Sequence, residues 1–322
     1  MAGYGLMGLL LRNAMTRGPL CFLKEDRARL MQRYAFSAAL AAIIAGVSIS
    51  GPAAAQDGEV EAPPVPAEGT DAMMGGDYLA IGFGGALVPS YEGSDDYTFS
   101  VLPLIQGSVA GIGISPRPGG LALDFLGDSG TGPHFSLGPS VRLRLNRSTD
   151  VKDPVVALLP ERGTALELGP TVGISFSGVL NPYDSLALDV DARWDILGAH
   201  GGMVVASYLA YTTPLSEGIA AVLAVGGEYG DGQFMDYYHS VAPADAAASG
   251  LPIFDADGGV RNVGAQLLLA FDLNGDLRDG GWGLFAVGGY TRLLGDAADS
   301  PMTSIRGSAD QWLVGAGVGY TF

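Results

Sequence analysis

The sequence predicts an all-β chain: a transmembrane antiparallel β-barrel of the bacterial outer-membrane type, with about twelve strands and about ten as the alternative. Three observations predict it. Apolar residues recur at every second position through most segments beyond residue 77, the period of a strand with two unlike faces. Hydrophobic residues make up 48% of the chain and charged residues only 16%, with 50 glycines, where ordinary soluble chains carry about 25% charged residues. Beyond the amino terminus no run of about 20 apolar residues occurs, so no helix spans a membrane. A closed barrel is then the structure that pairs every backbone group inside lipid.

The last stretch, Gln311 to Phe322, states the pattern most fully. Trp312, Val314, Ala316, Val318, Tyr320 and Phe322 alternate with Gln311, Gly315, Gly317, Gly319 and Thr321. A bulky face opposite a small or polar one suits lipid on one side and a lumen on the other. The aromatic ending, Tyr320 and Phe322, resembles the carboxyl-terminal strand by which outer-membrane barrels are recognised for assembly.

The amino terminus reads as a leader. Arg27, Arg29 and Arg33 precede the apolar stretch Ala35 to Ile49, and Ala53-Ala54-Ala55 supplies a small-residue cleavage site with Ala53 and Ala55 at its key positions. The first 30 residues read as an overlong charged region or as a start codon set too early. Three divisions follow: residues 1–55 as extension and signal peptide, 56–76 as a disordered periplasmic linker rich in Pro, Glu, Ala and Gly, and 77–322 as the barrel. The leader holds six of the 17 Lys and Arg residues and two of the 34 Asp and Glu residues, leaving 11 basic against 32 acidic, a net of −21. Such a chain does not seek nucleic acid through phosphate contacts. The single cysteine, Cys21, lies in the leader, so the mature chain has no disulfide, thiolate site or cysteine nucleophile.

The strands follow in order. Tyr78 to Pro89 sets Leu79, Ile81, Phe83 and Leu87 against Ala80, Gly82, Gly84 and Ala86. Tyr97 to Gln106, Ser108 to Ser115 and Gly120 to Leu126 are shorter, and Pro103 weakens the first of them. His134 to Asn146 places Phe135, Leu137, Val141, Leu143 and Leu145 opposite His134, Ser136, Ser140, Arg142, Arg144 and Asn146. Thr164 to Ser177 repeats the pattern with Glu167 on the polar face, and Tyr183 to Ile196 puts Asp189, Asp191, Arg193 and Asp195 all on one side. A helix would scatter those four charges. Gly202 to Thr213, Gly218 to Tyr229, Arg261 to Leu273, Trp282 to Leu294 and the terminal stretch complete the set. Aromatics near strand ends (Tyr78, Tyr97, Trp194, Trp282, Tyr290, Phe322) suit interface girdles.

The links give an independent test. With the carboxyl end in the periplasm, the links around Gly295–Asp310, Gly230–Val260 and Arg147–Gly163 fall outside and are long, whereas Pro214–Glu217, Gly178–Pro182 and the Asn274-Gly275 turn fall inside and are short. That asymmetry belongs to membrane barrels.

No site signal is specific. Arg142, Arg144, Glu167, Asp189, Asp191, Arg193 and Asp195 form a lumen charge cluster, structural or serving permeation, and a ladder of ion pairs is expected among them. His134 with Ser136 evokes a Ser-His arrangement, but both face the lumen. Asp236 with His239 evokes a protease pair at the rim. Asp272, Asn274 and Asp276 sit around a glycine without the spacing or closing Glu of a calcium loop, and an Asn-Gly hairpin accounts for them. The acidic runs Glu92–Asp96 and Asp296–Asp299 are solvated loops or divalent-cation contacts to lipopolysaccharide. No catalytic, cofactor-binding or metal residue is assigned.

Several stretches together resemble the MipA/OmpV family: Pro89-Ser90-Tyr91-Glu92-Gly93-Ser94 with Leu102-Pro103, Tyr237-Tyr238 with Ala246 to Leu251 and Phe254 to Gly259, and Leu293 to Pro301 before the terminal Tyr320-Thr321-Phe322. The order and spacing cover essentially the whole mature chain; His239-Ser240 departs from the pattern. The resemblance implies a barrel in the bacterial cell outer membrane without enzymatic activity, in contact with outer-membrane lipid and lipopolysaccharide. It implies a scaffold joining a lytic transglycosylase to a penicillin-binding protein in murein (peptidoglycan) synthesis and remodelling. The alternative is an outer-membrane pore for small solutes or antibiotics with an acidic lumen.

Overall fold

The computed structural model describes residues 76–127, 132–148 and 151–322. Twelve strands form one closed antiparallel barrel: β1 (Tyr78–Pro89), β2 (Tyr97–Val109), β3 (Ile112–Arg117), β4 (Gly120–Asp124), β5 (His134–Arg144), β6 (Ala165–Ser177), β7 (Ser185–Asp195), β8 (Met203–Ser216), β9 (Ile219–Gly230), β10 (Gly259–Asp272), β11 (Gly281–Leu293) and β12 (Asp310–Thr321). Each strand pairs with its sequence neighbours, and β1 pairs with β12 from Ala80↔Thr321 to Leu87↔Val314. Closure leaves no edge, which is what a sheet in hydrocarbon requires. No helix among the described residues is long and apolar enough to cross a membrane.

The alternation resolves into the two expected faces. Phe83, Phe135, Leu188, Trp194, Trp312 and Val314 are exposed on the outer wall, while Ser140, Arg142, Asp191 and Arg193 are buried inside. Leu313, which interrupts the small residues of the terminal strand, also faces in and packs with Ala86, Val88 and Val287. Glycine is needed where rings lie across the sheet. A Cβ at Gly85 would collide with the Phe99 ring, and one at Gly317 with the Phe285 ring.

Two boundaries differ from expectation for one reason. β2 runs on to Val109 and β3 starts at Ile112, because the hairpin turns on Ala110 (φ 55) and Gly111 (φ 80). Two successive positive φ values make a type I′ hairpin, and an alanine in that position hides the turn from the sequence. Tyr78 also departs from the girdle: it is 5% exposed and points inward.

Both chain ends of the barrel lie on one side. The long links at 145–164, 231–258 and 294–309 lie on the other. The link between β4 and β5, residues 125–133, breaks the strict asymmetry, being long for the terminus side. The terminus-side turns are mostly built by carboxylates that cap their own backbone. Asp272 Oδ1 accepts from the N–H groups of Asn274, Gly275 and Asp276. Asp184 accepts from Val179, Leu180 and Asn181 N–H and from the Tyr211 hydroxyl.

On the loop side the links fold over the mouth. They carry α1 (Gly232–His239), α2 (Pro243–Ser249), α3 (Gly295–Asp299) and α4 (Pro301–Ser304). Two apolar clusters hold this lid. One joins Phe234, Met235, Tyr238 and Ala297 to Val204 and Leu293 of the wall. The other joins Tyr91, Val156, Leu159, Val241, Leu251 and Met302, drawn from four different links. Most of the stretches that carry the family resemblance therefore meet in the lid, while Leu102-Pro103 and Tyr320-Thr321-Phe322 lie in the wall.

Candidate functional site

Beneath the lid the lumen is filled by charge. β5 presents Arg142 and Arg144, β6 Glu167, β7 Asp189, Asp191 and Arg193, β3 Arg117, β9 Glu228 and β10 Arg261, and Glu92 enters from the β1–β2 link; all are 8% exposed or less. The tally is five arginines (117, 142, 144, 193, 261) against five carboxylates (92, 167, 189, 191, 228), a neutral set.

The pairing is a knot that joins adjacent-strand pairs to bonds across the lumen: Glu167 meets Arg144 of β5 and, at 3.5 Å, Arg193 of β7, and Glu228 meets Arg261 of β10. Arg142 stands directly opposite Glu167 in the β5–β6 register, yet its Nη1 donates across the barrel to Glu228 at 2.7 Å. Arg144 Nε takes Glu167 instead, at 2.6 Å. Glu228 is the hub. Beyond Arg142 it meets Arg144 at 3.6 Å, Arg193 at 3.4 Å and Arg261 at 2.7 Å. Arg261 also binds Glu92, which ties the β1–β2 link into the centre. Asp191 accepts from Arg193 at 2.6 Å, Arg117 at 3.1 Å and the Ser140 hydroxyl at 2.9 Å, and Arg117 reaches Asp189 at 3.4 Å. Multiple charge-assisted bonds of this kind are what keep ionised groups tolerable away from water.

Arg261 reaches this knot through a β-bulge. The register of β10 on β9 slips between Val260↔Tyr229 and Asn262↔Glu228, so Arg261 and Asn262 both point inward, at 0% and 4% exposure. An extra residue in one strand re-aims its side chains in this way. Strict alternation would have sent Arg261 to the lipid side with Val263.

Phe234 closes the mouth. Asp231 caps α1 by accepting from Phe234 N–H at 2.9 Å and also holds Met203 N–H at 2.8 Å. The Phe234 ring then lies 4.8 Å from the Arg144 guanidinium carbon and 4.9 Å from that of Arg261, with the His200 ring edge-on at 5.0 Å. Two cation–π contacts on a fully buried ring make it the cork over the charge layer.

Above it, Arg147 at the neck of the β5–β6 link donates to the carbonyls of Tyr238 and Pro160 and to Met302 Sδ. Burial and the neighbouring Arg162 lower its guanidinium to about 10. Asp153 fastens the same link to the β11–β12 link, taking Arg306 Nη2 at 2.6 Å and the N–H groups of Val155 and Val156. Burial raises its carboxyl, but the Arg306 hydrogen bonds and the two N–H groups outweigh that and hold it below the usual range. A depressed carboxyl stabilises above its unfolded pKa, about 3.9, and loses that contribution as pH falls through the folded value. Hydrogen exchange at Val155 and Val156 should therefore accelerate as pH falls below about 4, after correction for intrinsic rates, and Asp153→Asn should remove the pH dependence. An unchanged profile in the variant would contradict this tie.

The other expected residues are distributed as follows. Asp195 lies beyond the knot, capping the β7–β8 link through the N–H groups of Leu197, His200 and Gly201. This corrects its place in the cluster: one pair further along the strand, backbone donors are nearer than any arginine of the knot. Glu92 is no solvated cation contact, for it is paired inside with Arg261. His134 pairs with Asp124 at 2.9 Å. Asp236 is exposed while His239 on the same helix is buried, so the two are not presented together at the rim. Among the described residues no group of acids, histidines or cysteines is placed to hold a metal. Phe322 is 66% exposed and meets Tyr320 edge to face at 4.7 Å, and Tyr320 meets Trp282 at 5.2 Å. Ala53 and Ala55 lie outside the described residues.

Fold and site together define a porin-like outer-membrane β-barrel whose lumen is stopped on the loop side by a neutral charge knot and a folded lid. The chain belongs to the MipA family: the family model described as MltA-interacting protein MipA matches residues 81–322. Among solved structures, an outer membrane channel from Pseudomonas putida F1 matches with 14% sequence identity and a TM-score of 0.41, over 85% of this chain and 100% of that one. No curated protein matches.

Proposed function

We propose that this chain resides in the bacterial outer membrane as a non-catalytic scaffold that engages murein-remodelling enzymes, a lytic transglycosylase and a penicillin-binding protein, from its terminus side. One observation carries the reading: Arg142, Arg193, Arg261, Glu167 and Phe234 are each 0% exposed across the lumen, so there is no open route for solute at that level. A sealed barrel is useful as an anchor and a docking platform. The family description, MltA-interacting protein, supports a murein enzyme as the partner. In this reading residues 1–55 are removed after Ala53-Ala54-Ala55, residues 56–76 hang in the periplasm and 77–322 form the barrel, with lipid and lipopolysaccharide around it.

The purified full-length protein, reconstituted in planar bilayers, should carry no steady current, and as bait it should retain a lytic transglycosylase from a periplasmic extract. Stable conductance with no retained murein enzyme would overturn the scaffold. The second reading, a pore, is favoured by a cavity that enters the lumen from the terminus side, leaving the knot and lid as the barrier; the charge layer it would cross is neutral rather than acidic, with five arginines against five carboxylates. The terminal aromatics are proposed as the assembly signal: a chain lacking Phe322 should reach the outer membrane in several-fold lower amount, read by membrane fractionation. Undiminished insertion would remove that role.

A further inference from the structure

We propose that the terminus-side half of the lumen is a binding site for one small uncharged apolar molecule of about benzene size, entering from the side of the chain ends. The lumen of an outer-membrane barrel is ordinarily polar. Here its lower part is walled by Leu104, Ala220, Val222, Leu268, Ala270 and Phe285 around a cavity of 130 Å³. Leu104 of β2 reaches across to pack against Val222 and Leu268 of β9 and β10, so the opposite walls nearly meet and give the cavity an apolar end. Tyr78 and Thr321, at the two ends of the barrel wall, stand at its open end. An apolar cavity of about 150 Å³ takes benzene or xenon, so there is room here for a single ring.

The walls also select. The arginines and carboxylates of the knot are engaged with one another, and around the cavity the polar groups include Gln106, Thr212, Tyr78 and Thr321 with one carboxylate, Asp272, whose Oδ1 caps its own turn. An anion would lose its hydration there without a counter-charge. An apolar one gains from every wall it covers. The inference stands apart from the scaffold proposal, since a sealed anchor and an open pore would both contain this pocket.

Beyond Cys21 the chain has no cysteine, so an introduced thiol is easily followed against the parent chain as background. Ala270→Cys and Val222→Cys would place a thiol in the cavity, and Val314→Cys would place one on the lipid face as a control for partitioning. The refolded barrels are treated with methyl methanethiosulfonate, with or without toluene. Toluene should slow modification of both cavity thiols at least threefold and leave Val314→Cys unchanged, and adding Leu104→Trp to fill the cavity should abolish the protection. An anionic sulfonate reagent should react with the cavity thiols at least tenfold more slowly, relative to its rate with free cysteine. Equal rates with and without toluene, or equal relative rates for the two reagents, would overturn the proposal. Heat-modifiable migration on gels verifies that each variant has folded, and either cavity position suffices for the test.

Discussion

Glu228→Ala is expected to destabilise the barrel by about 3–5 kcal/mol, the cost of breaking a buried ion pair from one side. Glu228 meets four arginines, and its loss leaves five buried cations facing four carboxylates. Water or counter-ions must then enter to solvate Arg142 and Arg261, which lie across the lumen from each other on β5 and β10. The variant should thus unfold at lower urea, read by gel mobility of the folded barrel, and should show flickering conductance that the parent lacks. Glu228→Gln should behave similarly, because it keeps the shape but not the charge. The double change Glu228→Met with Arg261→Met should recover much of the stability, since apolar replacements of a buried pair are often neutral. Wild-type urea resistance in Glu228→Ala would mean that the knot does not hold the barrel together.

Phe234→Ala should have the second large effect, about 3–5 kcal/mol for emptying a buried aromatic site, and its signature should differ. The ring fastens the lid to the charge layer through Arg144 and Arg261. Without it α1 loses its anchor while the strand pairing of the wall stays complete. The expected result is a barrel whose strands resist urea nearly as before but whose lid is cut readily by an added protease between residues 231 and 258. If the lid is the outer barrier, removing those residues should also let small ions reach the knot. Protease resistance equal to the parent would show that the apolar cluster of Tyr91, Val241 and Met302 secures the lid by itself.

The wall of this molecule was legible because a period of two is a local property. Asp189, Asp191 and Arg193 could be assigned to one face from Tyr183 to Ile196 without knowing any neighbour. Their partners were not legible, for pairing across a lumen is set by closure. Glu228 and Arg117 are solitary charges near the ends of otherwise apolar strands, and only the completed barrel brings them to Arg142 and Asp191. Arg261 was hidden by the bulge, which reverses the face that alternation assigns. The expected ladder is present where Glu167 meets Arg144 and Arg193 on its two neighbouring strands, and Arg142 extends it across the lumen to Glu228. The lid was visible only as link length, since short helices packed on one another leave no long periodic pattern.

The seam between the first and last strands has a consequence for how the molecule comes into being. Leu79 and Phe322 exchange backbone hydrogen bonds, N–H of each to the carbonyl of the other. The ring can therefore shut only once β12 has been made, and a chain without it carries two open borders. Any ribosomal product ending before β12 keeps both borders bare, and in hydrocarbon such bare peptide groups are too costly to persist. Presence of β12 is thereby checked by geometry itself: a copy without it has no stable place in the bilayer and remains available to proteases.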